Sequence, residues 1–524
     1  MKKKNADLND RDIYNCGLSR RRFLQAAGAA GVAAWSVMRP RDADAVAALA
    51  AMYPDRAADA ETSPETIDLS SRSVARNVNK CIGCGNCVRV CADVQKIGVY
   101  RLYPDPEPAR HGGRQFYSDT KGGFPLAETG CINCGQCTKV CPAEALTERD
   151  GLAQARYALR NQDRYAIVWQ IAPSVQNMLG ESYAAQPGAD FSRKIAAAMK
   201  QLGGRAFHTD FAADVTIMEE GGELIRRLRG GGVLPMLTSC CPGWVRYAEM
   251  HYPDLLAHIS TTKSPQQIFG ALAKSYYARE YNVPADNVYQ ISVMPCTAKK
   301  YECARAEMRD ALNRRQVDLV LTAREFMVLL AERGINLNEL AGSDFDRLLR
   351  EGSGAARIFG ASGGVMEASL RAVSILLTGR PLPPEPGTLR TRDGVKEAAL
   401  VIGGQRYNFA AVNGISNIQA VMTDLRQGHS PYHFIEVMAC PHGCIGGGGA
   451  LHSSVEAPWA AVEVERRQEG LYRSDSLLKN TDCLQNNELK LLYRNFLGRP
   501  GGPLAEELLH TRYTDRSGEL PPAL

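Results

Sequence analysis

The sequence predicts an α/β domain preceded by a small, cysteine-rich α+β domain. Three observations carry this. After residue 160, short apolar runs of strand character alternate with helical patterns. Four of those runs end in polar loops, three of them bearing cysteine. Upstream, an eleven-residue motif with four cysteines occurs twice, fifty residues apart. Composition sets the frame. The chain has 524 residues, 45% hydrophobic and 23% charged, which suits a globular protein with a sizeable core. It excludes a chain disordered throughout, a collagen and a polytopic membrane protein. The net charge is +5, but residues 1–45 carry +4 of it, so the body offers no nucleic-acid surface. Sixteen cysteines in a chain this long do not read as a disulfide scaffold, and their spacing points to metal.

The first 45 residues read as an address. Ser19-Arg20-Arg21-Arg22-Phe23-Leu24-Gln25 opens on paired arginines, and an Ala/Gly-rich stretch runs from Ala26 to Val37. That stretch is short of the ~20 apolar residues needed to span a bilayer. Ala43-Asp44-Ala45 offers small residues for cleavage. Together these resemble a twin-arginine export signal, which implies export of the folded protein by the twin-arginine translocase to the periplasm. Export after folding suits a protein whose thiols must meet metal before they meet an oxidising compartment. Residues 46–74, with Pro54 and Pro64, read as a linker, and no stretch is apolar enough to be a transmembrane segment.

Residues 75–150 hold the repeat. Cys81-Ile82-Gly83-Cys84-Gly85-Asn86-Cys87-Val88-Arg89-Val90-Cys91 returns as Cys131-Ile132-Asn133-Cys134-Gly135-Gln136-Cys137-Thr138-Lys139-Val140-Cys141, then Pro142. Two C-x2-C pairs would serve zinc; a third cysteine three residues on fits zinc badly. The pattern C-x2-C-x2-C-x3-C resembles bacterial two-cluster ferredoxins. By that resemblance Cys81, Cys84, Cys87 and Cys141 hold one [4Fe–4S] cluster. Cys131, Cys134, Cys137 and Cys91 hold the other, the fourth cysteine of each motif starting a helix and reaching across. Gly83, Gly85 and Gly135 are expected to let backbone approach the sulfides. Ala92 stands where proline is usual.

In residues 151–450 the four strand-like runs are Tyr165–Ile171, Val233–Leu237, Val288–Val293 and His433–Val437. They lead into Ala172-Pro173-Ser174, Thr238-Ser239-Cys240-Cys241-Pro242-Gly243-Trp244, Met294-Pro295-Cys296-Thr297-Ala298-Lys299 and Met438-Ala439-Cys440-Pro441-His442-Gly443-Cys444. Thr322 and Glu325 make a capping box for a helix over 322–333. Loops of this kind after buried strands predict a site at the strands' carboxyl ends. There Cys241, Cys296, Cys440 and Cys444 would converge as four thiolates, a donor set for zinc or iron–sulfur.

These three cysteine-bearing segments resemble the signatures of the iron-only, or [FeFe], hydrogenases, and the likeness runs from about residue 75 to 515. The tail, Asn486 to Pro500 and then Leu508-Leu509-His510-Thr511-Arg512-Tyr513, is similar to the family's small-subunit region, fused here over residues 451–524. The resemblance implies an α/β catalytic domain with the cofactor between two lobes, preceded by the α+β two-[4Fe–4S] ferredoxin-like domain. It implies an H-cluster: a [4Fe–4S] cubane on the four cysteines, bridged through Cys444 to a two-iron unit carrying CO, cyanide and a dithiolate. Lys299 and the Ser174 loop would donate to the cyanides, Met294 and Met438 would pack against the unit, and Gln266 would be a further donor. Gly447, Gly448 and Gly449 would bring backbone close to the cluster. Glu302 pairs with Lys299 at i,i+3.

Hydrogen chemistry moves protons as well as electrons, so a buried site needs carriers within hydrogen-bond reach of one another. Cys240, Glu220, Ser260 and Glu223 match the family's relay, in that order toward solvent. The implied substrates are H2 and protons. The implied partners are a soluble redox protein such as a c-type cytochrome or ferredoxin, and the maturation proteins that build the two-iron unit. Export favours H2 uptake. An H2 sensor and a non-catalytic iron–sulfur carrier or assembly protein are the alternatives; the absence of signalling domains and the presence of Cys240 weigh against the first, Lys299, Met294 and Met438 against the second. His442, Ala450 and Leu451 depart from the usual third signature, and Cys16, Cys303 and Cys483 have no assigned role.

Overall fold

The computed structural model describes residues 67–521 apart from 112, 184–190, 351, 383–389, 393, 403 and 453–460. The twin-arginine stretch, Cys16 and most of the linker lie outside the described residues. Among the described residues no helix is long and apolar enough to cross a membrane.

The first unit has five strands: β1 (Ile67–Asp68), β2 (Val74–Asn77), β3 (Tyr100–Pro104), β4 (Phe116–Thr120) and β5 (Leu146–Glu148). β1, β2 and β5 form an antiparallel sheet, and β3 and β4 a separate hairpin. Val74, Val90, Tyr100, Leu126, Val140 and Leu146 pack with Cys87 and Cys137 in its core. The two cysteine loops repeat in backbone as well as sequence. Gly83 and Asn133 occupy equivalent left-handed positions, φ 72° and 61°, and so do Gly85 and Gly135. Asparagine is among the few side chains that tolerate this conformation, which explains the one Gly-to-Asn change between the copies. Each loop feeds one helical turn, Asn86–Arg89 or Gln136–Lys139. The fourth cysteines do not start helices as the sequence suggested. Cys91 sits inside a wide turn that continues the first helix, and Cys141 lies beyond the end of the second, before Pro142, which has no N–H to donate.

The larger unit is built on two sheets. β6 (Ala166–Ile171), β7 (Arg205–His208), β9 (Val288–Met294) and β10 (Leu319–Thr322) form one, in the order β10-β9-β6-β7, all parallel. The second runs β11 (Arg390–Arg392), β12 (Val395–Ile402), β13 (Gln405–Asn413), β14 (Phe434–Met438) and β8 (Met236–Leu237). Its last three strands are parallel. β6, β9 and β14 are covered on both faces, so they read as mostly apolar runs, broken only by the buried Gln170, Gln290, Ser292 and Glu436. β8 is shorter than the predicted 233–237. Pro235 offers no N–H to a ladder, and Val233 is exposed. The predicted helix forms as Ala323–Glu332 with its capping box intact, Thr322 Oγ1 accepting from Glu325 N at 3.1 Å and Glu325 Oε2 from Thr322 N at 2.7 Å. The C-terminal segment is part of the same core: Leu489, Leu492, Leu497 and Leu509 pack in one cluster with Phe207, Phe269 and Met438.

Candidate active site

The strand registers set the site. Thr322 pairs with Met294 on one sheet and Asn413 with Met438 on the other, so the strand ends are level and their loops meet. Cys296 lies two residues past β9 and Cys440 two past β14. Cys241 caps the helix Pro242–His251, where Pro242 fills the first position, and its Sγ accepts from Ala439 N at 3.4 Å. Cys296 precedes the helix Ala298–Ala304. Cys444 lies in a single turn, Gly443–Gly446. Helix starts suit thiolate sulfur, because their free N–H groups face it.

The four thiols are close enough to raise one another. Burial first, then Cys241 and Cys444, pushes Cys440 up to about 12. Burial, then Cys440 and Cys241, raises Cys296, and burial, then Cys296 and Cys241, raises Cys444. Four thiols gathered this closely would ionise together only around a cationic core, and the donor set fits an iron–sulfur cubane. Among the described residues no group of three His, Cys, Asp or Glu is placed to hold a single ion.

The structure gathers the upstream cysteines into two groups. Cys81, Cys84, Cys87 and Cys141 line one cavity. Cys131, Cys91 and Cys137 act on one another's ionisation, and so do Cys134 and Cys137. Cys134 is raised by burial and then by Cys440, so this second group adjoins the four-thiol site. The first group lies farther out, with Cys84 exposed. The contact between the units is tightly made. Thr297 Oγ1 donates to Asn133 O at 2.8 Å and Arg246 Nε to Cys131 O at 2.8 Å. Arg324 clamps Glu148 and Thr138 on one side to Gly448 O and Ala450 O on the other, over 2.7–3.1 Å. A Cβ on Gly448 would overlap the Cys134 carbonyl, and one on Gly447 the Pro295 carbonyl. These glycines nest three cysteine loops against one another; that close fit is what the run of four requires.

The remaining predicted residues are placed as follows. Lys299 is buried; its Nζ donates to Cys240 O at 2.9 Å and to Glu302 at 3.0–3.2 Å. Burial pulls its pKa down, but Glu302, Cys296 and Cys240 outweigh burial and raise it, so the ammonium persists. Gln266 Nε2 donates to Glu302 Oε2 at 3.0 Å and its Oε1 accepts from Ser292 Oγ at 2.9 Å. Its visible contacts therefore orient the Lys299–Glu302 pair. Ser174 Oγ is buried without a partner, as a donor awaiting a ligand would be. Met294 and Met438 end β9 and β14, both buried, and Met438 packs in the cluster that Cys240, Cys241 and Cys444 adjoin.

Glu220, Glu223 and Ser260 are all buried. Ser260 Oγ donates to Glu223 Oε2 at 2.8 Å, and Arg227 holds Glu223 Oε1 at 2.6 Å. Both oxygens of Glu220 lack a partner. Burial, then Glu223, pushes its pKa up to about 8. Cys240 is raised by burial and then by Glu220, which places the thiol beside that carboxyl. The sequence reading missed Glu436, buried in β14 and accepting from Gly363 N and Met366 N at 2.8 Å; a glutamate inside an apolar strand was its signal. It also missed Lys139, pulled down to about 7 by burial and then Arg467 and Arg324. His442 stands at φ 62°, a conformation that favours glycine, and its side chain is exposed.

Converging thiols, a docked pair of ferredoxin-type loops and a buried acid chain define an iron–sulfur redox protein. The comparisons agree. A family model for the iron-only hydrogenase large subunit, C-terminal domain, matches residues 165–448. Models for the iron hydrogenase small subunit and a 4Fe-4S dicluster domain match 461–516 and 80–145. The chain is 41% identical over 458 residues to the NADP-reducing hydrogenase subunit HndD of Solidesulfovibrio fructosivorans, covering 85% of this chain and 75% of that one. It is 34% identical to cytosolic iron-sulfur assembly component 3 of Bos taurus, over 70% of this chain and 77% of that one. A solved structure of a variant of [FeFe]-hydrogenase HydA1 from Chlamydomonas reinhardtii superposes with a TM-score of 0.61 at 35% identity, covering 69% of this chain and 98% of that one. The chain belongs to the iron-only hydrogenase family, with large- and small-subunit regions in one polypeptide.

Proposed function

We propose that this protein is a hydrogenase that interconverts H2 with protons and electrons at an H-cluster held by Cys241, Cys296, Cys440 and Cys444. The observation that carries the reading is the thiol of Cys240, beside the four-thiol site and next to a buried, unpartnered Glu220 that holds a proton at neutral pH. When bound, the two-iron unit supplies the two-electron chemistry on hydrogen. The chain supplies everything else. Lys299 keeps a positive charge at the site, oriented by Glu302 and Gln266. Ser174 offers a free hydroxyl, and Met294 and Met438 offer apolar walls. Cys240 exchanges a proton with Glu220, which passes it through the Ser260 hydroxyl to Glu223. Cys131, Cys134, Cys137 and Cys91, next to Cys440, would hold one iron–sulfur cluster and Cys81, Cys84, Cys87 and Cys141 another, and the pair would supply a path for electrons. Exposure of Cys84 suits transfer there to a soluble partner such as a c-type cytochrome or ferredoxin.

The twin-arginine-like segment supports periplasmic export and, with it, H2 uptake. The test is H2-dependent dye reduction, together with exchange of H2 with D2O, by protein matured with its two-iron unit. Activity in both supports a hydrogenase. Loaded protein that carries all its iron yet exchanges no hydrogen isotope supports a carrier, the reading that the assembly-component relative favours.

A further inference from the structure

Glu223 ends the four-residue route, yet it is not at the surface: it is 4% exposed. One of its oxygens is closed off by Arg227, whose Nε and Nη2 donate to Oε1 at 3.1 and 2.6 Å. Arginine stays charged and cannot take a proton. The other oxygen faces the Thr261 hydroxyl at 3.4 Å, and that hydroxyl lies 2.7 Å from His510 Nδ1. His510 Nε2 lies 3.1 Å from Glu219 Oε2, and Nδ1 lies 3.7 Å from Glu506 Oε2. Glu506 is at the surface, its side chain 46% exposed. A hydroxyl can accept a proton as it gives up its own, and an imidazole nitrogen can take up a proton and later release it.

We propose that the C-terminal segment supplies the proton exit, with His510 carrying protons between Thr261 beside Glu223 and Glu506 at the surface. This rests on the hydrogenase reading of the Cys240–Glu220–Ser260–Glu223 route. The segment is held in register for the task. Thr262 and His510 form an antiparallel bridge, Thr511 N donates to Thr261 O at 2.7 Å, and Lys263 N donates to Leu509 O at 2.8 Å. The charged and titratable groups facing His510 are Glu219, Glu506 and, through Thr261, Glu223. Arg227 lies behind Glu223, and Lys263 turns its ammonium to Leu508 O at 2.8 Å. Glu219 is fixed as an acceptor by Tyr493 OH at 2.5 Å and Gly501 N at 2.7 Å. Glu219 therefore holds the Nε2 proton of His510 and leaves Nδ1 to accept from Thr261.

The proton count closes. A proton on Glu223 passes to Thr261 Oγ1 as the Thr261 hydrogen moves to Nδ1. The imidazolium so formed lies between Glu219 and Glu506. The exposed Glu506 side chain swings in over the remaining 3.7 Å to take the Nδ1 proton, the Thr261 hydroxyl turns back, and one proton has moved outward with nothing consumed. H2 production runs the same steps inward.

The test is made on the full, matured chain. Glu220 is protonated at pH 6, and its carboxyl infrared band, assigned by its loss in Glu220→Gln, shifts as the proton exchanges for deuterium. The rate of that shift reads the route without turnover. His510→Gln keeps a donor and an acceptor at the same place but cannot ionise, so packing is retained and carriage is lost. The proposal predicts exchange and H2 turnover both slowed about tenfold or more in His510→Gln, with the CO and cyanide bands unmoved. Glu506→Gln, on the surface and safe for folding, slows both in the same direction in dilute buffer. Slow exchange in Glu223→Gln with wild-type exchange in His510→Gln and Glu506→Gln overturns the exit and spares the inner route. Wild-type exchange in Glu223→Gln overturns both.

Discussion

Glu220 carries a cost that a stability measurement can read separately from catalysis. In the folded chain its carboxyl is buried and ionises near pH 8, raised from 4.5 by burial and then by Glu223, which outweigh the Ser260 hydroxyl that pulls it down. The unfolded chain gives up that proton above pH 4.5, while the folded one keeps it until about pH 8. Stability attached to this group is therefore full below pH 4.5 and lost as pH rises through 8. Each unit of separation is worth about 1.36 kcal/mol, so the loss over the whole window is on the order of 5 kcal/mol. Glu220→Gln cannot ionise. It should match the wild type near pH 4.5 and become more stable by up to about that amount at pH 8. The assay is urea unfolding of both proteins at matched metal content at pH 5, 6.5 and 8, followed by circular dichroism. Turnover of Glu220→Gln should fall about 10²-fold or more at every pH, since the amide holds no exchangeable acid. A stability difference that does not change with pH refutes the burial argument, and wild-type turnover refutes the role.

Cys240→Ala should cut H2 turnover on the order of 10² or more with iron content unchanged; wild-type turnover would remove Cys240 from the route. Arg324→Ala leaves the buried Glu148 carboxylate without its clamp and should destabilise by about 3–5 kcal/mol, seen as a lowered Tm with slower H2-driven reduction of the two ferredoxin-type clusters. Gly448→Ala forces a Cβ into the Cys134 carbonyl and should part the Cys134 and Cys440 loops, read as weakened magnetic coupling between neighbouring clusters in electron paramagnetic resonance. His442→Gly relieves a left-handed φ on an exposed residue and should raise stability by about 0.5–1 kcal/mol with turnover unchanged.

The cysteines were legible because ligand spacing is a local property. The three-residue steps of each repeat and the loop after each strand place their thiols with little help from elsewhere. The strands showed as well, since parallel strands buried on both faces carry mostly apolar runs. What stayed hidden depends on contacts distant in sequence. The glycines after Cys444 read as room for a cluster; their neighbours are the Pro295 and Cys134 carbonyls, more than 100 residues away. Gln266 read as a donor to the cofactor; its contacts are Glu302 and Ser292. Glu219 sits beside Glu220 in the chain yet turns to His510, 291 residues on, and no periodicity announces that pairing. The resemblance to ferredoxins puts Cys91 at a helix start, but the first helix runs on into a wider turn there.

In the proposed centre, four cysteines from three loops hold a cubane that would carry the two-iron unit. The most direct test is the infrared spectrum of the matured protein beside that of Cys444→Ala. The account predicts stretching bands of bound CO and cyanide in the first, and their loss in the second with both ferredoxin-type clusters still loaded. Bands that survive unchanged without Cys444, or that never form in fully loaded wild-type protein, contradict it.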